Sequence, residues 1–328
     1  MMRFLQNIKP SSALWVIVFA FLLRTPYAFV QQTAVTFCDT AFFPGFFLWA
    51  QQNPVWDNLL ATVLVCTAAM LLNRVCINQD VIYTHTYLPA WFFVLVSSLI
   101  PAQMHVHPLL FSNILILIGF NFLFSLFLYE GPSVLIYLTA LFFGAAAMFQ
   151  LQLLVLFIFI LGAVILMKRI TLKDLLAAFL GLLMPIYILW SVWYLLHTNQ
   201  AGFYSFLRNR PLATNADLAA LWPYALCFIL VILSFFKVFA NFFKNNIRTR
   251  RINQVLIFYF SYMLLYQFFS GACSALVDIS LLFIPTAVFV AYLLVGSKYR
   301  KLKSLANTLL VIAAIFSLYG SYLGTLRP

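Results

Sequence analysis

Charge is scarce in this sequence, and acidic charge scarcest: seven of its 328 residues are Asp or Glu, against nineteen Lys or Arg. A soluble domain is about a quarter charged. A chain that is 8% charged and 65% hydrophobic, with a mean hydropathy of +1.02, is therefore not a soluble globule. The nineteen basic residues form no long stripe; they fall in short clusters between apolar runs, which excludes a nucleic-acid partner. Five cysteines contain no CxxC and no metal-ligand spacing, so neither a zinc centre nor a dithiol redox site is encoded locally. Also missing are a Gly-rich phosphate loop, HExxH and GxSxG, and with them the reactions those motifs serve. No small-x-small cleavage site follows Leu14 to Leu23, so this run reads as an uncleaved first helix and not as a signal peptide.

What fills the sequence is repeated apolar runs of roughly 20 residues, the length that crosses a hydrocarbon core of about 30 Å. They predict an all-α, polytopic transmembrane helix bundle of about eleven spans in a single integral membrane domain, residues 1–328. The number falls to nine if the short fifth and sixth runs (133–148 and 151–167) form a hairpin or broken helices. Phenylalanine (37) and tyrosine (16) suit lipid-facing surface and interfacial belts. With the N-terminus in the cytoplasm, fifteen basic residues fall inside and only Arg24, Arg208, Arg210 and Arg327 outside. That positive-inside bias predicts an N-in, C-out protein of a bacterial inner membrane, with lipid as its immediate partner. Two long connections, about 31–56 and 197–220, then lie on the outer side.

Chemistry in such a chain has to come from polar groups that a membrane otherwise excludes. The first outer connection holds Asp39 among Val35, Phe37, Phe42 and Phe43, where partial desolvation favours a general base. A solvated loop carboxylate, or one paired with Arg24, is the plainer alternative. Asp57 follows Asn53-Pro54 and reads first as a carboxylate favoured by a helix N-terminus. Arg24 either snorkels to the headgroups or faces a cavity and binds phosphate. In the second connection, His197, Tyr204, Arg208 and Arg210 suit an anionic headgroup or a lipid-linked phosphate, or simply a solvated loop. His105 and His107 form an HxH without a third ligand nearby. Gln150 and Gln152 mark a short outer turn as helix caps, and Asp278 opens the tenth span as a cap or an inward-facing acid. Cys38 and Cys273 share the outer side, which permits a disulfide without requiring one. Around Phe42 to Trp49 an amphipathic segment is expected, broken at Pro44-Gly45. No cofactor fingerprint or complete metal-ligand set is evident, and a divalent-metal requirement is left open.

Two resemblances add to these readings. The run Tyr87-Leu88-Pro89-Ala90, Ser97-Ser98-Leu99-Ile100-Pro101 and His107-Pro108-Leu109-Leu110-Phe111-Ser112-Asn113, with Lys168-Arg169 through Asp174, Gly181 and Pro185, resembles an uncharacterised family of small polytopic bacterial inner-membrane proteins. That likeness covers roughly residues 1–200 and implies no activity. A first helix ending near Arg24, followed by an outer loop with an acidic residue, more distantly resembles the integral-membrane C-type glycosyltransferases. The second likeness implies a glycosyltransferase-C-like helical core and transfer of sugar from a polyprenyl-phosphate donor in cell-envelope assembly. Asp39 would be the general base, with Arg24, Arg208 or Arg210 on the donor phosphate. The acidic pair frequent in that loop is absent here, since Thr40 follows Asp39. A non-catalytic scaffold or a partner subunit for other envelope membrane proteins is the alternative, and a transporter comes third.

Overall fold

Prolines punctuate the chain at the places where helices begin. The computed structural model describes residues 10–29, 44–82, 84–128, 132–168, 170–195, 222–240, 246–269, 279–295 and 300–325. Within them run twelve α-helices: α1 (Pro10–Arg24), α2 (Pro44–Gln52), α3 (Pro54–Asn78), α4 (Leu88–Ser98), α5 (Pro108–Ser125), α6 (Pro132–Phe149), α7 (Leu156–Met167), α8 (Leu172–Leu195), α9 (Trp222–Ala240), α10 (Ile247–Phe269), α11 (Phe283–Val295) and α12 (Arg300–Thr325). Five of them open on proline, whose fixed φ suits the first helical position and whose missing N–H is not needed there. No strand occurs among the described residues.

Eleven of these helices stand where the apolar runs predicted spans; α2 is the short extra one. By length and hydropathy alone, four are sufficient to cross a membrane: α3, α5, α6 and α8, the last over Leu172–Val192. The fifth and sixth runs form two separate helices, α6 and α7, joined by the 3-10 turn Leu151–Val155. Of the aromatic segment expected around Phe42 to Trp49, the described part begins at Pro44 as α2, where a proline at the first helical position breaks no hydrogen bond; Phe42 and Phe43 lie outside the described residues.

The centre is built from two helices that are buried on nearly every side. Every residue of α4 is buried, and so is nearly all of α11. Their neighbours bury one side and leave Leu, Ile and Phe exposed on the other, most extensively along α8. Small residues set the closest approach. A Cβ on Gly144 would lie 2.4 Å from the Leu182 carbonyl oxygen, and one on Gly181 would lie 2.4 Å from that of Tyr137. α6 and α8 therefore touch backbone to backbone, as small residues allow in membrane bundles.

Polar bonds between helices sort into two ends. At one, Arg248 of α10 reaches Gln79 and Asp80 after α3, while Gln79 donates to Ser125 of α5 at 2.9 Å. Arg251 reaches the Leu166 carbonyl of α7 at 3.1 Å. Asp174 sits at this end too, three residues after Thr171 at the start of α8. Its carboxylate accepts from the Thr171 N–H (3.0 Å), the Thr171 hydroxyl (2.8 Å), Ser133 of α6 (2.9 Å) and Lys168 (2.8 Å). Thr171 and Asp174 thus form a capping box, with α6 and the end of α7 tied to it. The opposite end holds the C-terminus of α1 and of α4 and the N-terminus of α3 and of α5.

Candidate functional site

Between α4 and α5 the chain leaves the α-helix. Pro101–Met104 forms one 3-10 turn and the chain runs extended at His105 and His107, with Gln103 to His107 buried in the protein interior. Irregular backbone at membrane depth is tolerated only where something satisfies its N–H and C=O groups. Side chains do so here. The Arg24 guanidinium, on the last residue of α1, donates to the Gln103 carbonyl at 2.5 Å and lies 3.4 Å from the Ser97 hydroxyl. Asn58 of α3 approaches the Met104 carbonyl at 3.4 Å. Asp57, one residue earlier on α3, accepts the Val106 N–H at 2.7 Å on one oxygen and His105 Nδ1 at 2.7 Å on the other. His107 Nδ1 donates to the His105 carbonyl at 2.9 Å.

The tautomers follow from these partners. A carboxylate only accepts, so His105 carries a proton on Nδ1, and in the neutral ring Nε2 is then the nitrogen with a lone pair. A carbonyl only accepts, so His107 is likewise protonated on Nδ1. His107 is fully buried just ahead of α5. Tyr27, in the 3-10 turn Thr25–Phe29, faces the His105 ring edge-on at 6.3 Å between centroids. The His105 side chain keeps 9% of its surface, against 2% for Asp57, so the imidazole is the group of the pair that reaches outward.

Several expectations meet this geometry directly. Arg24 does not snorkel: it is wholly buried and turned inward onto backbone carbonyls. Asp57 lies in the first turn of α3 but makes no capping bond; its acceptors are used 48 and 49 positions away. His105 and His107 are drawn together with Arg24 and Asp57, which the sequence did not connect. No group of three His, Cys, Asp or Glu side chains comes together among the described residues. Gln150 precedes the 3-10 turn Leu151–Val155, where its backbone carbonyl accepts the Leu153 N–H at 3.0 Å and its side chain makes no cap. Asp39, His197, Tyr204, Arg208, Arg210, Asp278, Cys38 and Cys273 lie outside the described residues. Cys66 and Cys76 are buried free thiols.

Sequence reasoning missed Asn58, Ser97 and Gln103. A signal was present: polar residues in an apolar surround, flanking the break at Ile100-Pro101, imply backbone groups in need of partners.

Comparison with protein-family models, with curated proteins and with solved structures finds no match for this chain.

Proposed function

We propose that this is an integral membrane protein of cell-envelope assembly that transfers a sugar from a polyprenyl-phosphate donor at the outer face of a bacterial inner membrane. In this proposal all eleven apolar helices cross, with the N-terminus inside and the C-terminus outside. Basic clusters around Lys168 and Arg248 to Arg251 then face the cytoplasm. The Arg24 end faces outward, and the exposed indoles of Trp49 and Trp56 form part of its interfacial belt.

The observation that carries the proposal is the buried Arg24–Asp57–His105–His107 cluster. It sits where both flanks of the first outer connection return to the bundle. Tyr27, two residues before Phe29, touches His105, and α2, which resumes at Pro44, packs on α3. Asp39 is five residues from Pro44, within at most about 18 Å along the chain. A carboxylate to engage the acceptor hydroxyl, and positive charge from Arg24, Arg208 and Arg210 for the donor phosphate, are what the transfer needs. Tyr204 and His197 belong to the same outer set of candidates.

The test is Asp39→Asn in the native host. Envelope glycoconjugate should be lost while protein level and insertion stay unchanged; full complementation of a deletion strain by Asp39→Asn would refute the role of Asp39. A non-catalytic scaffold is the second reading. It is favoured by one specific feature: Arg24 and both Asp57 oxygens are already engaged in holding the chain break between α4 and α5. That reading expects copurification with a membrane partner and tolerance of Asp39, Arg208 and Arg210 substitutions.

A further inference from the structure

Sugar transfer to a hydroxyl needs a group to take the hydroxyl proton, and the described residues contain a pair built for that task. We infer that His105 is the proton acceptor of this site and that Asp57 is the residue that positions it. This rests on the transferase function proposed above and goes beyond it, because it moves the proton-accepting step from the connection onto the helical frame.

The geometry has three parts. Asp57 holds His105 Nδ1 at 2.7 Å, which fixes both the tautomer and the ring plane and leaves the Nε2 lone pair as the ring's base. The other Asp57 oxygen is pinned by the Val106 N–H at 2.7 Å, so the carboxylate cannot rotate away. Finally, α3 fixes Asp57 from a regular helix, while the base sits on the irregular strip between α4 and α5, at the end where the connection carrying Asp39 begins. The groups that face His105 are Asp57 from α3, Tyr27 from the 3-10 turn after α1, and His107 from the same strip. Of these, Asp57 alone is anionic and stabilises the imidazolium that forms.

The step balances as follows. The acceptor oxygen bonds to the anomeric carbon as its proton passes to His105 Nε2. The anomeric carbon–oxygen bond to the phosphate breaks, and its electron pair leaves with the polyprenyl phosphate. Imidazolium then returns the proton to water. With water as acceptor the same step is donor hydrolysis, which gives an assay that needs no knowledge of the natural acceptor.

The experiment uses the full chain, purified and reconstituted in liposomes, with a panel of synthetic farnesyl-phosphate hexoses. Release of farnesyl phosphate is measured across pH. A general base contributes about 10²–10⁴-fold, so His105→Ala should lose that much, lose the acid limb of the pH–rate profile and recover activity with added imidazole. His105→Asn keeps a donor toward Asp57 and serves as the folded control; it should melt like wild type and remain inactive. Asp57→Asn should lose about 10²-fold or more. A folded His105→Asn that keeps wild-type turnover, or a His105→Ala protein that imidazole does not restore, overturns the assignment. If the wild type releases no farnesyl phosphate from any donor, the transferase function itself falls. If wild type and His105→Ala are equally active, only the role of His105 falls.

Discussion

Replacing Asp57 by alanine strands a buried N–H and an imidazole N–H together. Val106 N–H and His105 Nδ1–H each lose an acceptor at 2.7 Å in a region almost closed to water. Each unsatisfied buried donor costs about 1–3 kcal/mol. Two such donors make about 4 kcal/mol the expectation for Asp57→Ala. Asp57→Asn keeps an acceptor for Val106 and should lose about half as much. At the lower end of about 2–4 °C per kcal/mol, alanine lowers the apparent melting temperature in detergent by about 8 °C. Fluorescence-detected size exclusion after heating reads this directly. The control is Asp80→Asn: Asp80 is 60% exposed and 3.7 Å from Arg248, a pair worth less than about 1 kcal/mol, and asparagine suits the left-handed φ of 50° at this position. If Asp57→Ala melts within about 1 °C of wild type, the cluster is not the polar support of the α4–α5 break.

Further expectations concern other parts of the molecule. Gly181→Ala and Gly144→Ala each force a methyl against a backbone carbonyl 2.4 Å away, and should cost about 1–3 kcal/mol in the same melt. Thr171→Val removes the capping box of α8 and should cost about 1 kcal/mol; Thr171→Ser, which keeps the hydroxyl, should be near neutral.

The helices were legible in the sequence because the two signals that define them are local. Apolar runs are contiguous, and Pro10, Pro44, Pro54, Pro108 and Pro132 stand at the starts themselves. The cluster was not legible, because the bonds that bring Arg24 and Asp57 into it span 48 to 79 positions. Asp57 alone, three residues after a helix-starting proline, is indistinguishable from a dipole-favoured carboxylate. Only the packing of α3 against the strip after α4 shows that its oxygens point elsewhere. Arg24 failed for a related reason: a basic residue near the end of an apolar run looks the same whether it turns outward to headgroups or inward to carbonyls.

The most direct test of the central claim is donor turnover by the purified, reconstituted chain. Farnesyl-phosphate hexoses are added outside liposomes that hold the protein with its Arg24 end facing out, and released farnesyl phosphate is counted. Turnover of at least one donor, lost in both Asp39→Asn and His105→Ala, is the expected result. No turnover of any donor, from a protein that melts as a single folded species, would contradict it.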